Sequence, residues 1–523
     1  MGGSPLTVGE MAYDVVVVPE CETLRSTTLD RLEAFKAAGG KLVFMGDAPK
    51  YEDAKPSARG KALFDKSIRI GFNRGALLDA LYEDRTVEIR NFGGAFTGNL
   101  IHQVRRDTDG LWLFISQANE PYNKDVAREQ GIHIYVKGKY KVELWDTITG
   151  EVKPIRYSNK GGKTHIVMSL FDYDSALLYL RDTEEDSSYE PVAAPAPTPI
   201  GIKRMTDGYA AWAEADTTAP VAEIPMTVPY TLSEPNVLLL DMARYALDDE
   251  DLHPTEEILR IDAAVRRRLG FPAGKAQPWV MEDKPAEHTV TLEFTVYSDI
   301  DYADPYIALE DADIATIQWN GEAVTAKPEG YYVDLAIQKV ALPPLRKGIN
   351  TLTVTIPFAV RSNCEAMYLL GNFGVRVAGR LLTVTELPKT VGFSDLTYQG
   401  LPFYGGAISY RIPVDAPADW SALVQVPHYT AAVNTVELDG EKRAVIAYPP
   451  YVADIGVIPA GRHELTVTAY ITRRNCFGDV HDADERLAWQ GPSAWVTGGS
   501  SWTYEYRLRR TGVLTTPVIL KKN

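Results

Sequence analysis

The stretch from Tyr13 to Asp47 constrains the fold most strongly, because it contains the elements of one βαβ unit. Two apolar runs of strand length, YDVVVVP (13–19) and KLVFMGD (41–47), flank the amphipathic segment STTLDRLEAFKAAGG (26–40). In that segment Leu29, Leu32 and Phe35 form one apolar face, and two glycines follow. A strand, a helix and a strand in this order predict parallel pairing in a buried sheet.

After residue 86 the pattern changes to short alternating segments separated by glycine turns, which is typical of antiparallel sheets. An acidic and then Pro/Ala-rich segment, TEEDSSYEPVAAPAPTP (183–199), predicts an extended linker or crossover. We therefore expect a mixed, mostly β chain: an α/β domain with an antiparallel part over 1–182, a linker over 183–222, a β-sandwich with an inserted helix over 223–386, and a second β-sandwich over 387–523.

The two predicted sandwiches share an order of strands and turns. IQWNGEAV, with its Asn320-Gly321 turn, precedes NTLTVTI, and VELDGEKRAV, with its Asp439-Gly440 turn, precedes HELTVTA. Asn-Gly and Asp-Gly between apolar runs favour two-residue hairpins. The repeated order predicts two copies of one sandwich type. The inserted helix is expected after Thr255, our candidate N-cap, and is expected to end at Gly270.

Composition excludes some classes of partner. The chain has 54 Lys and Arg against 70 Asp and Glu, a net charge of −16. This argues against binding nucleic acid and against an anionic membrane surface. Three cysteines that lie far apart in the sequence, at positions 21, 364 and 476, show no metal or disulfide spacing. No signal-peptide pattern or membrane-length apolar run is visible, so we expect a cytoplasmic protein.

Several segments resemble the C-terminal, post-barrel region of large bacterial glycoside hydrolases of the α-L-rhamnosidase-like and family-2-like type. YDVVVVPECETLRSTTLDRLEAFKAAGGKLVFMGD resembles their amidotransferase-like (flavodoxin-like) domain. IQWNGEAV with LPPLRKGINTLTVTI resembles their jelly-roll, galactose-binding-like domain. EAMYLLGNFGV, RRNCFGDVH and SWTYEYRLRRTGVL resemble their C-terminal segments. The resemblance covers most of the chain, and the order of the segments matches.

The resemblance implies that the catalytic carboxylates lie on a (β/α)₈ barrel before this first domain, and the barrel is absent from the sequence in hand. We therefore carry over no catalytic residue. The implied function is glycan positioning and structural support for a glycoside hydrolase, with a carbohydrate ligand, and a barrel domain or subunit or a second copy of the chain, as partners. Two alternatives stay open: a complete glycosidase with a cleft between the sandwiches, and a non-enzymatic binding or scaffold protein.

Aromatic residues are the main candidates for glycan binding, because exposed rings stack on pyranose faces while neighbouring polar groups bind the hydroxyls. The alternative for each ring is packing in the core. The candidates lie beside the first hairpin, in a following strand and in a Gly/Ser-rich segment: Trp319, Asn320, Tyr332, Trp489, Trp495 and Trp502.

Acidic residues give weaker predictions. The run CFGDVHDADE offers Asp479, Asp482 and Asp484 as oxygen ligands for a structural Ca²⁺, with a solvated loop as the alternative. No other cofactor is expected. Hydrolysis of a glycoside needs a specific pair of carboxyl groups, and the sequence singles out none among 70 acidic residues. Glu310 with Asp311, and Glu365, are examples that could be chosen, with an exposed loop acid or a structural hydrogen bond as the alternative for each, so the catalytic residues stay unknown.

Overall fold

In a computed structural model of the chain, the described residues are 3–121, 128–147, 150–190, 222–273, 281–282, 284–449, 451–484 and 497–521. They form a mixed, mostly β architecture, which confirms the predicted fold class. The chain divides into two compact units. Unit 1 comprises residues 1–119, 130–170 and 175–192, and unit 2 comprises residues 120–129, 171–174 and 193–523.

Unit 1 begins with the predicted βαβ unit. Strands and helices run in the order β1 (Leu6–Val8), β2 (Met11–Tyr13), β3 (Val15–Val18), β4 (Thr23–Leu24), α1 (Ser26–Ala37), β5 (Lys41–Met45), β6 (Tyr51–Glu52), β7 (Lys55–Pro56), α2 (Arg59–Asp65), β8 (Ile68–Ile70) and α3 (Arg74–Ala80). Strands β3, β5 and β8 pair in parallel. Leu29, Leu32 and Phe35 of α1 are buried against this sheet, as their spacing predicted.

The rest of unit 1 is an antiparallel sandwich. Its strands are β9 (Val87–Asn91), β10 (Leu100–Arg106), β11 (Gly110–Gln117), β12 (Glu129–Lys137), β13 (Tyr140–Trp145), β14 (Val152–Lys153), β15 (Tyr157–Lys160), β16 (Lys163–Phe171), β17 (Ser175–Asp182) and β18 (Ser188–Tyr189). They form sheets in the orders β10-β11-β17-β13-β14 and β18-β15-β16-β12-β9, around one apolar core. The first part of the predicted linker thus contains a short paired strand, β18, and its residues 191–221 lie outside the described residues.

Unit 2 contains two sandwiches. The first is built from β20 to β32 and α4, and the second from β19 and β33 to β42. Their bounds are β19 (Thr227–Leu232), β20 (Asn236–Leu240), β21 (Met242–Leu247), β22 (His253–Glu257), α4 (Ile258–Leu269), β23 (His288–Ser298), β24 (Tyr306–Leu309), β25 (Thr316–Trp319), β26 (Glu322–Ala323), β27 (Tyr331–Tyr332), β28 (Asp334–Ala341), β29 (Gly348–Phe358), β30 (Met367–Gly371), β31 (Gly374–Ala378), β32 (Leu381–Thr385), β33 (Thr390–Gly392), β34 (Ala407–Ala416), β35 (Trp420–Gln425), β36 (Tyr429–Thr430), β37 (Val433–Leu438), β38 (Glu441–Ile446), β39 (Val452–Ile458), β40 (Gly461–Tyr470), α5 (Arg474–Phe477), β41 (Gly512–Val513) and β42 (Val518–Lys521).

Each sandwich has its own apolar core. In the first, the sheet β20-β30-β24-β28-β27 faces β22-β21-β23-β29-β25-β26, to which β31 and β32 are attached. In the second, the sheet β33-β19-β34-β40-β37-β38 faces β39-β35-β42. Strand β19 precedes the first sandwich in sequence, yet it completes a sheet of the second.

Both predicted hairpins are present. Asn320 and Gly321 have φ of 53° and 84°, and Asp439 and Gly440 have φ of 52° and 81°. Positive φ at both central residues is the type I′ geometry that matches the twist of paired strands. In each sandwich the hairpin's first strand also pairs with the next long strand, β25 with β29 and β37 with β40. The repeat read from the sequence is therefore a structural repeat.

The predicted helix start is corrected by two residues. Thr255 lies in β22, and helix α4 has Glu257 as its N-cap, whose side chain accepts from the Arg260 backbone N–H. Gly270 ends the helix in the left-handed conformation, as predicted. Within the described part of the chain, no helix is long and apolar enough to cross a bilayer.

Candidate functional site

A buried polar network lies where the segments 473–484 and 497–510 meet the first sandwich of unit 2. Its centre is Asp241, which follows β20 and is 4% exposed. Tyr506 donates its hydroxyl to Asp241 Oδ1 at 2.6 Å, and His481 Nε2 donates to Asp241 Oδ2 at 3.2 Å. A buried carboxylate that loses water must recover hydrogen bonds from the protein. These two bonds supply them, and they tie the C-terminal segment to the sandwich.

Two groups in this network have perturbed pKa values. Burial raises the pKa of Glu257 to about 7; the backbone N–H groups of Leu259 and Arg260 oppose this shift, and the charge of Asp241 adds to it. Burial by itself lowers the pKa of His481, but its hydrogen bond to Asp241 and the charges of Asp241 and Glu257 outweigh burial and raise the pKa. Groups with perturbed pKa values in a shielded place are candidates for function or for pH sensing.

An aromatic cluster flanks the network; we call Trp502, Tyr504 and Arg260 the aromatic platform. The Arg260 guanidinium lies 4.4 Å from the centre of the Trp502 ring, and the Tyr504 ring meets Trp502 edge-on at 4.2 Å. Glu256 accepts from the Tyr504 hydroxyl at 3.1 Å and from Arg260. Both rings are half-buried, and Trp502 Nε1 has no hydrogen-bond partner among the described residues. The platform combines ring surface, a cation and a carboxylate in one place.

A second acidic group lies at the same end of the sheet. Glu310 follows β24 and Glu365 precedes β30, and these strands are neighbours, with Ala308 opposite Tyr368. Burial raises the pKa of Glu365 to about 7, and the charge of Glu310 adds to the shift. The pKa of Glu310 is also raised, by burial and then by the charges of Asp311 and Asp334. Two of the sequence candidates for acid–base work are therefore close enough to interact.

The residues predicted around the first hairpin have structural roles. Trp319 is 2% exposed in the core, so its ring presents no face to solvent. Asn320 uses its amide within the hairpin, accepting from Thr351 N at 2.8 Å and donating to Asn350 Oδ1 at 3.1 Å. Tyr332 is also buried, and the outward member of that tyrosine pair is Tyr331, which is 53% exposed. The alternating pleat of a strand allows one of two adjacent rings outside, but the sequence alone does not identify which one.

Three tryptophans of the Gly/Ser-rich segment were predicted to bind glycan, and one of them, Trp502, is part of the aromatic platform. Trp489 and Trp495 lie outside the described residues. The glycan-binding prediction for these two stays a prediction.

The three predicted calcium ligands do not converge. Asp479 forms an ion pair with Arg474 at 3.1 Å, Asp482 pairs with Trp502 through the backbone, and Asp482 Oδ1 accepts from the Asp484 backbone N–H. Asp479 and Asp482 are buried, and one carboxylate oxygen of each has no hydrogen-bond partner among the described residues. In the described part of the chain, no group of three His, Cys, Asp or Glu side chains has the arrangement needed to hold a metal ion.

Sequence analysis missed most of the network. Asp241 follows the apolar run NVLLL, and Glu257 precedes a helix, so both look like ordinary residues at element ends. The alternation Trp502, Tyr504, Tyr506 was the available sign, because residues two apart in an extended segment face the same side. The hydrogen-bond partners of Tyr504 and Tyr506 lie 248 and 265 positions earlier, and that proximity arises only on folding.

No protein-family model and no curated protein sequence matches the chain. Its structural neighbours are glycoside hydrolases. A rhamnosidase from Novosphingobium sp. PP1Y is 12% identical and matches 100% of this chain and 35% of its own, with a TM-score of 0.45. A GH42 beta-galactosidase from G. stearothermophilus is 11% identical over 32% of each chain, with a TM-score of 0.23. A GH2 beta-galacturonidase from Eisenbergiella tayi is 9% identical over 46% of this chain and 37% of its own, with a TM-score of 0.18. The chain thus spans about a third of the rhamnosidase, and similarity at this level does not establish a function.

Proposed function

We propose that the chain is a non-catalytic, carbohydrate-binding portion of a glycoside hydrolase, and that the aromatic platform is its glycan site. The observation that carries this proposal is the half-buried cluster of Trp502, Tyr504 and Arg260, with Glu256 hydrogen-bonded at its edge. Aromatic rings contribute apolar surface for a pyranose, and the guanidinium and carboxylate supply donors and acceptors for its hydroxyls. The ordered sequence resemblance motivates the choice of ligand class.

The network around Asp241 supports an accessory role rather than catalysis. Asp241 is occupied by His481 and Tyr506, and Glu257 caps helix α4 through Arg260 N. A catalytic carboxyl must reach the scissile bond, whereas these groups are turned into the protein. Their bonds instead fix the segment from which Trp502 and Tyr504 project.

The partner in this proposal is a catalytic barrel, as a domain or a subunit, or a second copy of the chain. The parallel sheet β3-β5-β8 of unit 1 has β3 at its edge within the described residues. An edge strand offers unpaired backbone groups to another polypeptide. Size-exclusion chromatography with light scattering tests the second-copy form.

Titration of the chain with neutral oligosaccharides, followed by tryptophan fluorescence and calorimetry, tests the glycan site. We expect Trp502→Ala and Tyr504→Ala each to weaken binding about tenfold, the equivalent of about 1.4 kcal/mol of stacking. Trp145→Ala, in unit 1, is the matched control and should leave the affinity unchanged. Unchanged binding in both platform variants would rule out this site.

The proximity of Glu310 and Glu365 favours a second candidate function, a complete glycosidase. In that case one carboxyl is protonated near neutral pH and acts as the acid, and the other acts as nucleophile or base. Aryl glycosides separate the two candidates: turnover that is lost in Glu310→Gln and in Glu365→Gln supports the enzyme. Absence of turnover across α-rhamnosides, β-galactosides and β-glucuronides supports the accessory role.

A further inference from the structure

A pocket in unit 2 shares no lining residue with the aromatic platform. It has a volume of about 470 Å³, and its walls come from β34, β37 and β40, the turn at 405–406, and the segment at 233–234. Small-molecule sites typically measure about 300–1,000 Å³. The pocket lies over the outward side of the second sandwich's larger sheet, where Ser409 and Thr468 join their hydroxyls at 2.8 Å.

One wall of the pocket is formed by an ion pair, which fits there because the two neighbouring residues are glycines. Arg473 donates through Nη1 and Nη2 to the two carboxylate oxygens of Glu234, at 2.5 and 2.6 Å. A Cβ on Gly405 would lie 2.7 Å from Arg473 Cδ, and a Cβ on Gly406 would lie 2.6 Å from Glu234 Cγ. Only glycines therefore leave room for the pair. Because both side chains are held, this wall is preorganised for a ligand.

The Arg473 guanidinium in this wall has N–H groups beyond those that bond to the described part of the protein. An arginine has five N–H donors, and the described structure uses two on Glu234 and one on Tyr332. The other end of the pocket supplies a carboxylate, Glu437, which forms no ion pair within the described residues. Donors on one side and an acceptor on the other match the vicinal hydroxyl groups of a sugar.

The pocket also contains an aromatic surface. Tyr470 lines it and is 44% exposed. Its backbone is paired on both sides, with Ala407 of β34 and Val433 of β37, so the ring projects from a fixed point of the sheet. A rigid ring of this kind stacks on the apolar face of a pyranose at low entropic cost.

The charge of the pocket restricts the ligand. Glu234 is balanced by Arg473, and Glu437 leaves one net negative charge among the charged residues that line the pocket. An anionic ligand such as a uronate or a phosphate would be repelled, and its approach would be penalised most at low salt.

We propose that this pocket binds one neutral sugar ring, with Tyr470 stacked on its face and Glu437 and Arg473 hydrogen-bonded to its hydroxyls. The proposal shares its ligand class with the proposed function but places a second subsite at a different surface. The chain would then hold a glycan at two points.

The test uses the full chain and saturation-transfer NMR with calorimetry. The probes are methyl glycosides of neutral hexoses and 6-deoxyhexoses, with the matching uronates for comparison. We expect a neutral glycoside to bind, and Tyr470→Ser and Glu437→Gln each to weaken its affinity about tenfold. Tyr398→Ser changes a tyrosine that is 90% exposed and does not line the pocket, so this control should bind like the parent chain.

The outcomes separate this pocket from the aromatic platform. Binding that survives Trp502→Ala and is weakened about tenfold in Tyr470→Ser supports the pocket even if the platform binds nothing. The proposal is overturned if no neutral glycoside binds, if uronates bind more tightly than neutral sugars, or if Tyr470→Ser and Glu437→Gln bind like the control. Far-UV circular dichroism of each variant establishes that the fold is intact.

Discussion

At the scale of single residues, buried charges in unit 2 hold distant parts of the chain together. Asp241, Tyr506 and His481 join positions that are 240 to 265 residues apart. Hydrogen bonds to a charged group contribute about 1.5–3 kcal/mol each, and leaving the carboxylate without them would cost more. The network therefore determines where the segment that carries Trp502 can lie.

Glu257→Gln is predicted to change how stability depends on pH. The folded-state pKa of Glu257 is raised to about 7, so the folded state holds a proton that the unfolded state loses near pH 4.5. Stability from this group is fully present below about pH 4.5 and falls as pH rises through about 7. Glutamine keeps the capping oxygen and does not titrate. Between pH 4.5 and pH 8, the free energy of unfolding of the variant should therefore rise relative to that of the parent chain by on the order of 3 kcal/mol.

Urea unfolding at several pH values measures this difference. Glu256→Gln is the control, because it removes the neighbouring carboxyl, which is only half-buried. An equal pH response in both variants would contradict the assignment to Glu257.

At the scale of elements, the hairpins show that local sequence can determine local geometry. The central residues of both turns have positive φ, and a Cβ at Gly321 or Gly440 would meet no atom within 4 Å. The requirement for glycine is therefore conformational and not steric. It follows from the left-handed backbone, which is unfavourable for residues with a Cβ.

Gly321→Ala and Gly440→Ala should each destabilise unit 2 by about 1 kcal/mol, since the backbone of an alanine must then adopt the left-handed conformation. Gly98→Ala is the matched control: it also has open space around it, but its φ lies outside the left-handed region. Equilibrium urea unfolding provides the comparison. A Gly98→Ala cost as large as that of the two turn variants would mean that φ is not the cause.

At the scale of the whole molecule, the chain is divided into two compact units with separate cores. We expect calorimetry to resolve two cooperative transitions, one for each compact unit, because separately packed domains often unfold as independent cooperative bodies. Leu113→Ala, in the unit 1 sandwich, and Leu352→Ala, in unit 2, both truncate fully buried leucines. Each variant should lower the midpoint temperature of its own unit's transition and leave the other transition unchanged. The truncation should cost that unit about 2–5 kcal/mol in free energy of unfolding. A single transition that both variants shift equally would show one cooperative body.

The sequence by itself determined the features that depend on neighbouring residues. The parallel βαβ unit followed from two apolar runs and the spacing of Leu29, Leu32 and Phe35, and the hairpins followed from Asn-Gly and Asp-Gly. These features depend on backbone preference and on periodicity over a few turns, which are visible in a short window.

Tertiary structure alone decided which polar and aromatic groups meet. Trp319 and Trp502 look alike in sequence, yet one is a core residue and the other is half-buried beside Arg260. Asp241 with His481, Glu310 with Glu365, and Glu234 with Arg473 are brought together by sheet register and by the path of the C-terminal segment. Burial and electrostatic coupling depend on residues that are close in space but distant in the chain. They therefore cannot be recognised from the sequence alone.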